Sequence, residues 1–296
     1  MLESISNLSM HTHISGCEKD LLKAIEREVS LVSDVESFYL SNCLICKKKG
    51  SATRSRKVLV SFPIDIPGFI ALFLSDNKVY LEKIGEFDIS LEKTTILQSE
   101  SNQEFSLFKT SEEPISLYIE DSSAKLGDVY QIKSEIFQKE GKIFGRYVSK
   151  YSIIRIMLSL LQQIQNDNVY FCFATGGETK VTREAQVIKQ LSPDFSLLLS
   201  RFEAKEPFPM IFLKDGKAFS DRGLVEELKN TARKIRRKTN ESVSDQNVSK
   251  AESVFSETGI PLISVGIPCE NKNKNNESVK LDSISRTLLL LKEFLD

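Results

Sequence analysis

The chain has 296 residues, 41% hydrophobic and 27% charged, with a formal net charge of −1. This composition excludes a fibrous or disordered protein, and the balanced charge gives no overall attraction to nucleic acid or to an anionic membrane. The longest apolar run, Val58–Leu74, contains Asp65 and two prolines, so it does not predict a membrane-spanning helix. No secretory signal is visible, and a cytoplasmic protein is expected.

The N-terminal region predicts a loop followed by an amphipathic helix. Apolar residues recur at helical spacing between Leu21 and Val29, after the turn at Gly16. His11 and His13 precede this helix as an H-x-H pair. They are expected in a solvated loop, because no acidic or cysteine ligand stands beside them to complete a metal site.

The five cysteines predict no disulfide framework, because their number is odd and no export signal accompanies them. Cys43 and Cys46 have the spacing of a redox or zinc pair, but they lie within a predicted strand, Val35–Lys47. Residues three apart on a strand point to opposite faces, so the pair is interpreted as structural.

A β-rich segment interrupts the chain. Turn residues Asp76-Asn77 predict a hairpin. Further short strands are predicted at Ser90–Leu97, Phe105–Phe108, Ile115–Glu120 and Tyr130–Ile136. The segment predicts a small β-barrel inserted at 70–143. The flanking segments, 1–69 and 144–296, would form one α/β domain.

A buried helix, Ser152–Gln165, precedes a β-α-β unit. Strands are predicted at Val169–Ala174 and Phe195–Leu199, with a helix at Thr182–Leu191 between them. Because open α/β sheets bind ligands at the carboxyl ends of parallel strands, Glu178 is the first candidate for chemistry.

The C-terminal third predicts a helix at Ser220–Lys238, a mobile polar loop at Thr239–Gln246, a buried strand at Gly259–Ile267 and a closing helix at Leu281–Leu295. The first helix ends in a basic cluster, Arg233–Lys238. Aromatic residues that would stack on bases do not interleave with it, so a solvated helix end is favoured over nucleic-acid binding.

Together these elements predict an α/β fold, with a mixed sheet, helices on both faces and the barrel insertion. A nucleophile–histidine–acid triad is not expected, because both histidines lie in the N-terminal loop. Asp65 and Glu178 remain candidates for a carboxylate pair, since each follows a predicted strand.

The order of features resembles the glutamyl or deblocking aminopeptidase family of di-zinc metallopeptidases, which includes endoglucanase-M-like and FrvX-like proteins and builds tetrahedral dodecamers. The resemblance covers nearly the whole chain. It implies a zinc-exopeptidase-like fold, an inserted barrel of the kind used for oligomerisation, and a homo-oligomer. The segments that carry it are ISGCEKDL, KVLVSFPIDIPGFIALF, GKIFGRYVSKYSI, VYFCFATGGETKV and GIPLISVGIPCENKNKNNESVKLDSI.

The resemblance implies four metal-ligand positions at which this chain carries other residues. The two family histidines fall on Pro63 and Asn273, the bridging aspartate on Ser149, and the aspartate that ends the next strand on Ser200. None of these side chains is an ordinary zinc ligand.

Other family positions are retained or replaced around them. The aspartate that orients the first histidine is Asp65, and the surviving glutamate of the Glu-Glu pair is Glu178. The neighbours expected in the cleft are Gly177 or Thr179 beside Glu178, Lys150 and Tyr151 in place of an Asp-Arg pair, and the retained Glu277.

This pattern predicts a pseudoenzyme without a cofactor. Each zinc needs at least three protein ligands, and a glutamate base without metal-bound water lacks the activated nucleophile of the family mechanism. The expected role is binding of peptides, self-assembly, or assembly with an active paralogue. The alternative is an aminopeptidase with one weakly held zinc or cobalt ion on Asp65, Glu178 and either Asn273 or Glu277.

Overall fold

The computed structural model describes residues 2–50, 56–85, 87, 95–110, 116–179 and 183–296. The α-helices in these ranges are α1 Leu2–Ser9, α2 Lys19–Ser30, α3 Val148–Gln163, α4 Arg183–Leu191, α5 Arg222–Lys234, α6 Ala251–Thr258 and α7 Leu281–Leu295. None of the helices described is both long and apolar enough to cross a bilayer.

Strands in the first half of the chain are β1 Val35–Leu40, β2 Cys43–Lys48, β3 Val58–Pro63, β4 Gly68–Ser75, β5 Lys78–Ile84, β6 Thr95–Ser99, β7 Glu104–Lys109, β8 Leu117–Glu120 and β9 Val129–Ile132. Those that follow are β10 Phe137–Lys139, β11 Lys142–Phe144, β12 Val169–Ala174, β13 Phe195–Glu203, β14 Met210–Asp215, β15 Ala218–Phe219, β16 Asn240–Ser244, β17 Leu262–Cys269 and β18 Ser278–Lys280.

The main sheet is mixed, with four parallel strands at its centre. Its order is β1-β2-β12-β3-β13-β17-β14-β15, and β16 pairs with β14. Strands β12, β3, β13 and β17 run parallel, whereas β2 and β14 flank them in the antiparallel direction. The central strands are continuous apolar runs, as expected for strands that are buried on both faces.

Helices cover both faces of this sheet, as the sequence predicts. Residues of α1, α2, α3, α5 and α7 pack in one apolar cluster with the first face, and residues of α4 and α6 pack in a second cluster with the other. Cys46 belongs to the first cluster and Cys43 to the second, which confirms that they point to opposite faces.

The inserted domain is a closed six-stranded barrel with the order β4-β5-β8-β7-β6-β9. Its own core contains Phe69, Val79, Leu97 and Ile119. The hairpin that joins β4 and β5 turns at Asp76 and Asn77, both with positive φ, as a tight hairpin turn requires. The predicted strands at Ser90–Leu97 and Ile115–Glu120 begin outside the described residues, and their remainders overlap β6 and β8.

The chain returns from the barrel through β10 and β11, which pair with β18 in a separate three-stranded sheet. The barrel strands therefore lie between Gly68 and Ile132, and the segment up to Phe144 is attached to the α/β domain.

Three sequence predictions about local structure were wrong. Val35–Lys47 is not one strand, because the chain reverses between β1 and β2, which pair in the antiparallel direction. Thr239–Gln246 is not a loop throughout, because β16 adds a parallel edge strand to β14 through backbone hydrogen bonds. His13 is not solvated. It is fully buried, because the segment after α1 pairs with the segment that follows β3, where Ile66 N–H donates to the His13 carbonyl at 3.0 Å.

Glu184, on α4, is a carboxyl group buried in the fold, with only 3% of its surface exposed. Burial raises the pKa of Glu184 from 4.5 to about 7. Since the folded state holds this proton more tightly than the unfolded state, the stability associated with it is lost as pH rises from about 4.5 to about 7.

The Glu184→Gln variant is therefore expected to raise the free energy of unfolding by roughly 1–3 kcal/mol at pH 8, with the gain vanishing near pH 4. Urea denaturation at the two pH values measures this. Glu226→Gln, at a largely exposed position on α5, is the control and should change little. An equal effect of Glu184→Gln at both pH values would contradict the role of burial.

Candidate functional cleft

A cleft opens at the carboxyl ends of the four parallel strands. These strands end at Pro63, Ala174, Glu203 and Cys269, and a cavity of about 230 Å³ lies beside them. The residues that line it include Pro63, Lys150, Gly177, Glu178, Ser200, Arg201 and Asn273. The topology thus gathers most of the positions singled out in the sequence at one place.

Asp65 lies beneath the cleft and organises its backbone. Its carboxylate is fully buried and accepts hydrogen bonds from Gly177 N–H at 2.9 Å and Glu178 N–H at 2.7 Å. The Ser15 hydroxyl donates to the same carboxylate. Asp65 therefore joins the end of β3 to the turn after β12, and its oxygens are already engaged by protein donors.

Lys150, in the first turn of α3, connects Asp65 with Glu178. Its ammonium group donates to the Asp65 carbonyl oxygen and forms an ion pair with Glu178 Oε1 at 2.8 Å. Burial acts to raise the pKa of Glu178, but the charge of Lys150 and its hydrogen bond hold that pKa below the usual range. Glu178 is therefore an ionised partner of a lysine and a weak base.

Glu277 forms a second buried network behind the cavity. One oxygen accepts hydrogen bonds from Ser149 N–H at 2.9 Å and from the Ser149 hydroxyl at 2.5 Å. The other accepts from Asn273 N–H at 2.6 Å and lies 3.4 Å from the Arg201 guanidinium. A carboxylate at the start of α3 is also favoured by the helix dipole.

Arg201 was not identified from the sequence as a site residue. It follows Ser200 on β13, and its guanidinium donates to the Asn273 side-chain oxygen at 2.7 Å in addition to its contact with Glu277. The sequence signal that could have identified Arg201 is its position directly after the apolar run FSLLLS, because an arginine buried at a strand end needs an acidic partner.

Three other predicted positions have different surroundings. The Ser200 hydroxyl is buried, lines the cavity and has no hydrogen-bond partner in the described part of the chain. Gly177 packs so closely on Pro63 that a Cβ would lie 2.6 Å from the proline Cβ. The Thr179 hydroxyl donates to the Gly176 carbonyl at 3.0 Å and stabilises the turn.

Two lysines that the sequence analysis did not single out complete the cavity wall, Lys250 and Lys272. Burial, together with the positive charge of Arg201, lowers the pKa of Lys272. No sequence pattern marks either lysine, because both lie in polar segments that approach the cleft only in the folded chain.

His13 contributes to the structure behind the cleft. Its ring packs edge-on against Tyr151 of α3, with the ring centroids 5.4 Å apart. Burial lowers the pKa of His13 to about 3, so the ring is neutral. His13 therefore acts in packing, and neither His13 nor His11 is among the residues that line the cavity.

Comparisons with known proteins address the fold. No protein-family model and no curated protein matches the sequence. The solved structures that match over 99% of this chain include the following three. An aminopeptidase from the archaeon Desulfurococcus kamchatkensis has a TM-score of 0.85 at 17% identity, with 94% of its chain covered.

The other two are TET enzymes. A TET aminopeptidase from a marine sediment archaeon of the Thaumarchaeota has a TM-score of 0.86 at 14% identity, with 95% of its chain covered. The Pyrococcus horikoshii TET1 peptidase can assemble into a tetrahedron or a large octahedral shell. It has a TM-score of 0.80 at 14% identity, with 98% of its chain covered. This chain has the TET aminopeptidase fold. The resemblance seen in the sequence is confirmed for the fold, including the inserted barrel.

The donors that this TET aminopeptidase fold places in the cleft do not fit a pair of zinc ions. Pro63 offers no donor, and the oxygens at Ser149 and Asn273 are engaged by Glu277 and Arg201. Within the described ranges, no group of three or more His, Cys, Asp or Glu side chains is arranged to hold an ion.

The electrostatics of the cleft also oppose a metal. The side chains of Lys150 and Arg201 line the same cavity as most of the positions at which the resemblance implies metal ligands. Two like unit charges 4 Å apart repel by roughly 4 kcal/mol at an effective dielectric constant of 20, and a divalent ion doubles that.

The Glu277→Gln variant tests whether the ion pair between the Glu277 carboxylate and Arg201 stabilises the fold. The change leaves Arg201 buried beside a neutral group, and the free energy of unfolding should fall by about 3 kcal/mol. Glu104→Gln, which breaks an exposed ion pair with Lys133, is the matched control and should cost less than about 1 kcal/mol. Equal stability of Glu277→Gln and wild type in urea denaturation would contradict the assignment.

Proposed function

We propose that this chain is a catalytically inactive homologue of a metallo-aminopeptidase, whose cleft binds a ligand without cleaving it. The observation that carries the proposal is the pair of buried cations, Lys150 and Arg201, each matched to a glutamate at the ends of the parallel strands. Charges that would otherwise attract metal ions are neutralised by the protein's own side chains.

The chemistry of Glu178 supports the same proposal. In the family mechanism implied by the resemblance, a glutamate removes a proton from a metal-bound water, whose pKa the metal lowers from about 15.7 to about 7. Here Glu178 is ion-paired to Lys150 at 2.8 Å, and its pKa is held low. A weak base acting on ordinary water does not provide an effective nucleophile.

Metal content is the first test. The purified protein is expected to retain no stoichiometric metal, by elemental mass spectrometry, after incubation with zinc, cobalt or manganese and dialysis. It should release no N-terminal residues from peptides under any of these conditions, and the Glu178→Gln variant should behave identically. A bound ion together with peptidase activity that Glu178→Gln abolishes would instead establish the reduced metal site on Asp65 and Glu178.

Assembly into a homo-oligomer, or with an active paralogue, is the second part of the proposal. The outer surface of the barrel supports it with a continuous aromatic strip. Successive ring centroids of Phe73, Tyr80, Tyr118 and Phe108 lie 5.6, 6.0 and 5.4 Å apart. Phe73 is 56% exposed and its neighbour Leu72 61%. Exposed apolar patches of this kind are common at protein interfaces.

Light scattering coupled to size exclusion tests the assembly. The particle mass should exceed that of the 33.5 kDa chain. Phe73→Glu should lower the mass, because a charge would be buried at the contact. Phe219→Glu alters an equally exposed aromatic residue on the sheet edge and serves as the control. A monomeric wild-type protein would leave assembly with a paralogue as the case to test, and an unchanged mass for Phe73→Glu would exclude the strip.

A further inference from the structure

The cavity in the cleft has an excess of positive charge. Its wall carries four basic side chains and one acidic one, which is Glu178. Lys150 is paired with Glu178, and Arg201 with Glu277 behind the wall. In the part of the chain that the structure describes, Lys250 and Lys272 form no ion pair, so two cations face the same space without a direct counter-charge.

An unused hydrogen-bond donor points to a ligand in the same space. Ser200 lines the cavity and is 2% exposed, and its buried hydroxyl finds no partner among the described residues. Buried polar groups are nearly always satisfied, so this hydroxyl marks the place of an acceptor atom brought by a bound molecule. Ser200 lies on β13 next to Arg201, so the strand fixes the position of its side chain.

The two lysine-bearing segments are held in place before any ligand binds. Asp215 is buried and accepts hydrogen bonds from Val248 N–H at 2.6 Å and Ser249 N–H at 2.9 Å, which fixes the backbone next to Lys250. On the other side, Glu203 accepts from the Lys272 backbone N–H at 2.8 Å. Pre-organised donors lower the entropy cost of binding.

We propose that the cleft binds a small molecule through an oxyanion, a phosphate or a carboxylate group, which contacts Lys250, Lys272 and the Ser200 hydroxyl. Ammonium groups and hydroxyls are ordinary donors to such oxygens. The volume of about 230 Å³ accommodates the group and a short attached chain. The inference rests on the proposed function, because a metal ion bound in the same cleft would itself attract the oxyanion and take the place of the lysines.

Isothermal titration calorimetry on the metal-free protein tests this proposal with two probes. Inorganic phosphate represents a phosphate source, and trialanine represents a peptide carboxylate, with trialanine amide as the counterpart that lacks the carboxylate charge. At least one oxyanion probe is expected to bind with a Kd below about 1 mM, and the amide at least about tenfold more weakly than trialanine if the carboxylate is the group recognised.

Substitutions locate the binding group. Lys272→Met and Lys250→Met should each weaken binding of the preferred probe by about tenfold or more, because each removes a charge-assisted donor. Lys274→Met, at an exposed lysine in the same loop as Lys272, should leave the Kd unchanged. The melting temperature of each variant without ligand establishes that it is folded.

Two results would overturn the oxyanion site. One is no binding of either probe up to about 10 mM by folded, metal-free protein, and the other is binding that both lysine variants leave unchanged. Either result leaves the inactive-homologue proposal in place, since that proposal depends on metal content and peptidase activity. A stoichiometric metal in the preparation would overturn the proposed function itself.

Discussion

The neutralisation of buried charge at the ends of the parallel strands is the constraint on which the rest of the cleft depends. Lys150 and Arg201 are 4% and 7% exposed, and an unpaired charge at such depth would be strongly destabilising. Glu178 and Glu277 supply the counter-charges, and Asp65, Ser149 and Asn273 fix the geometry of the two pairs. Each of these groups forms a hydrogen bond or an ion pair with another group of the protein, and these interactions stabilise the cleft.

This arrangement explains how one fold can hold a different site. A di-metal centre concentrates negative charge and neutral histidine donors around two cations, and the protein must then attract the ions from solvent. Here two side chains of the protein itself, Lys150 and Arg201, place positive charge in the same region. The carboxylates of Glu178 and Glu277 are paired within the chain, and the architecture is shared with the three solved peptidases at 14–17% identity.

The barrel and the α/β domain each have an apolar core, and the two cores meet where Val129 of β9 packs in the first cluster of the main sheet. The barrel interior is its own apolar cluster, and the cleft belongs to the two clusters of the main sheet. The aromatic strip lies on the barrel and the basic cavity in the α/β domain, so the two proposed roles use different residues. Functions in such folds belong to local sites and not to the architecture.

The sequence by itself determined the architecture. Continuous apolar runs such as Val169–Ala174 and Phe195–Leu199 specify strands buried on both faces, and alternating short strands around Asp76-Asn77 specify the barrel, because burial periodicity is a local property. It also placed Asp65, Glu178 and Ser200 at strand ends. Only the tertiary structure decided their partners. Lys150, Lys250 and Lys272 come from three distant segments, and the burial of His13 and the pairing of β16 depend on long-range contacts. Electrostatic pairing acts through space, so the sequence could predict which residues occupy the implied metal-ligand positions but not that four basic side chains line one cavity.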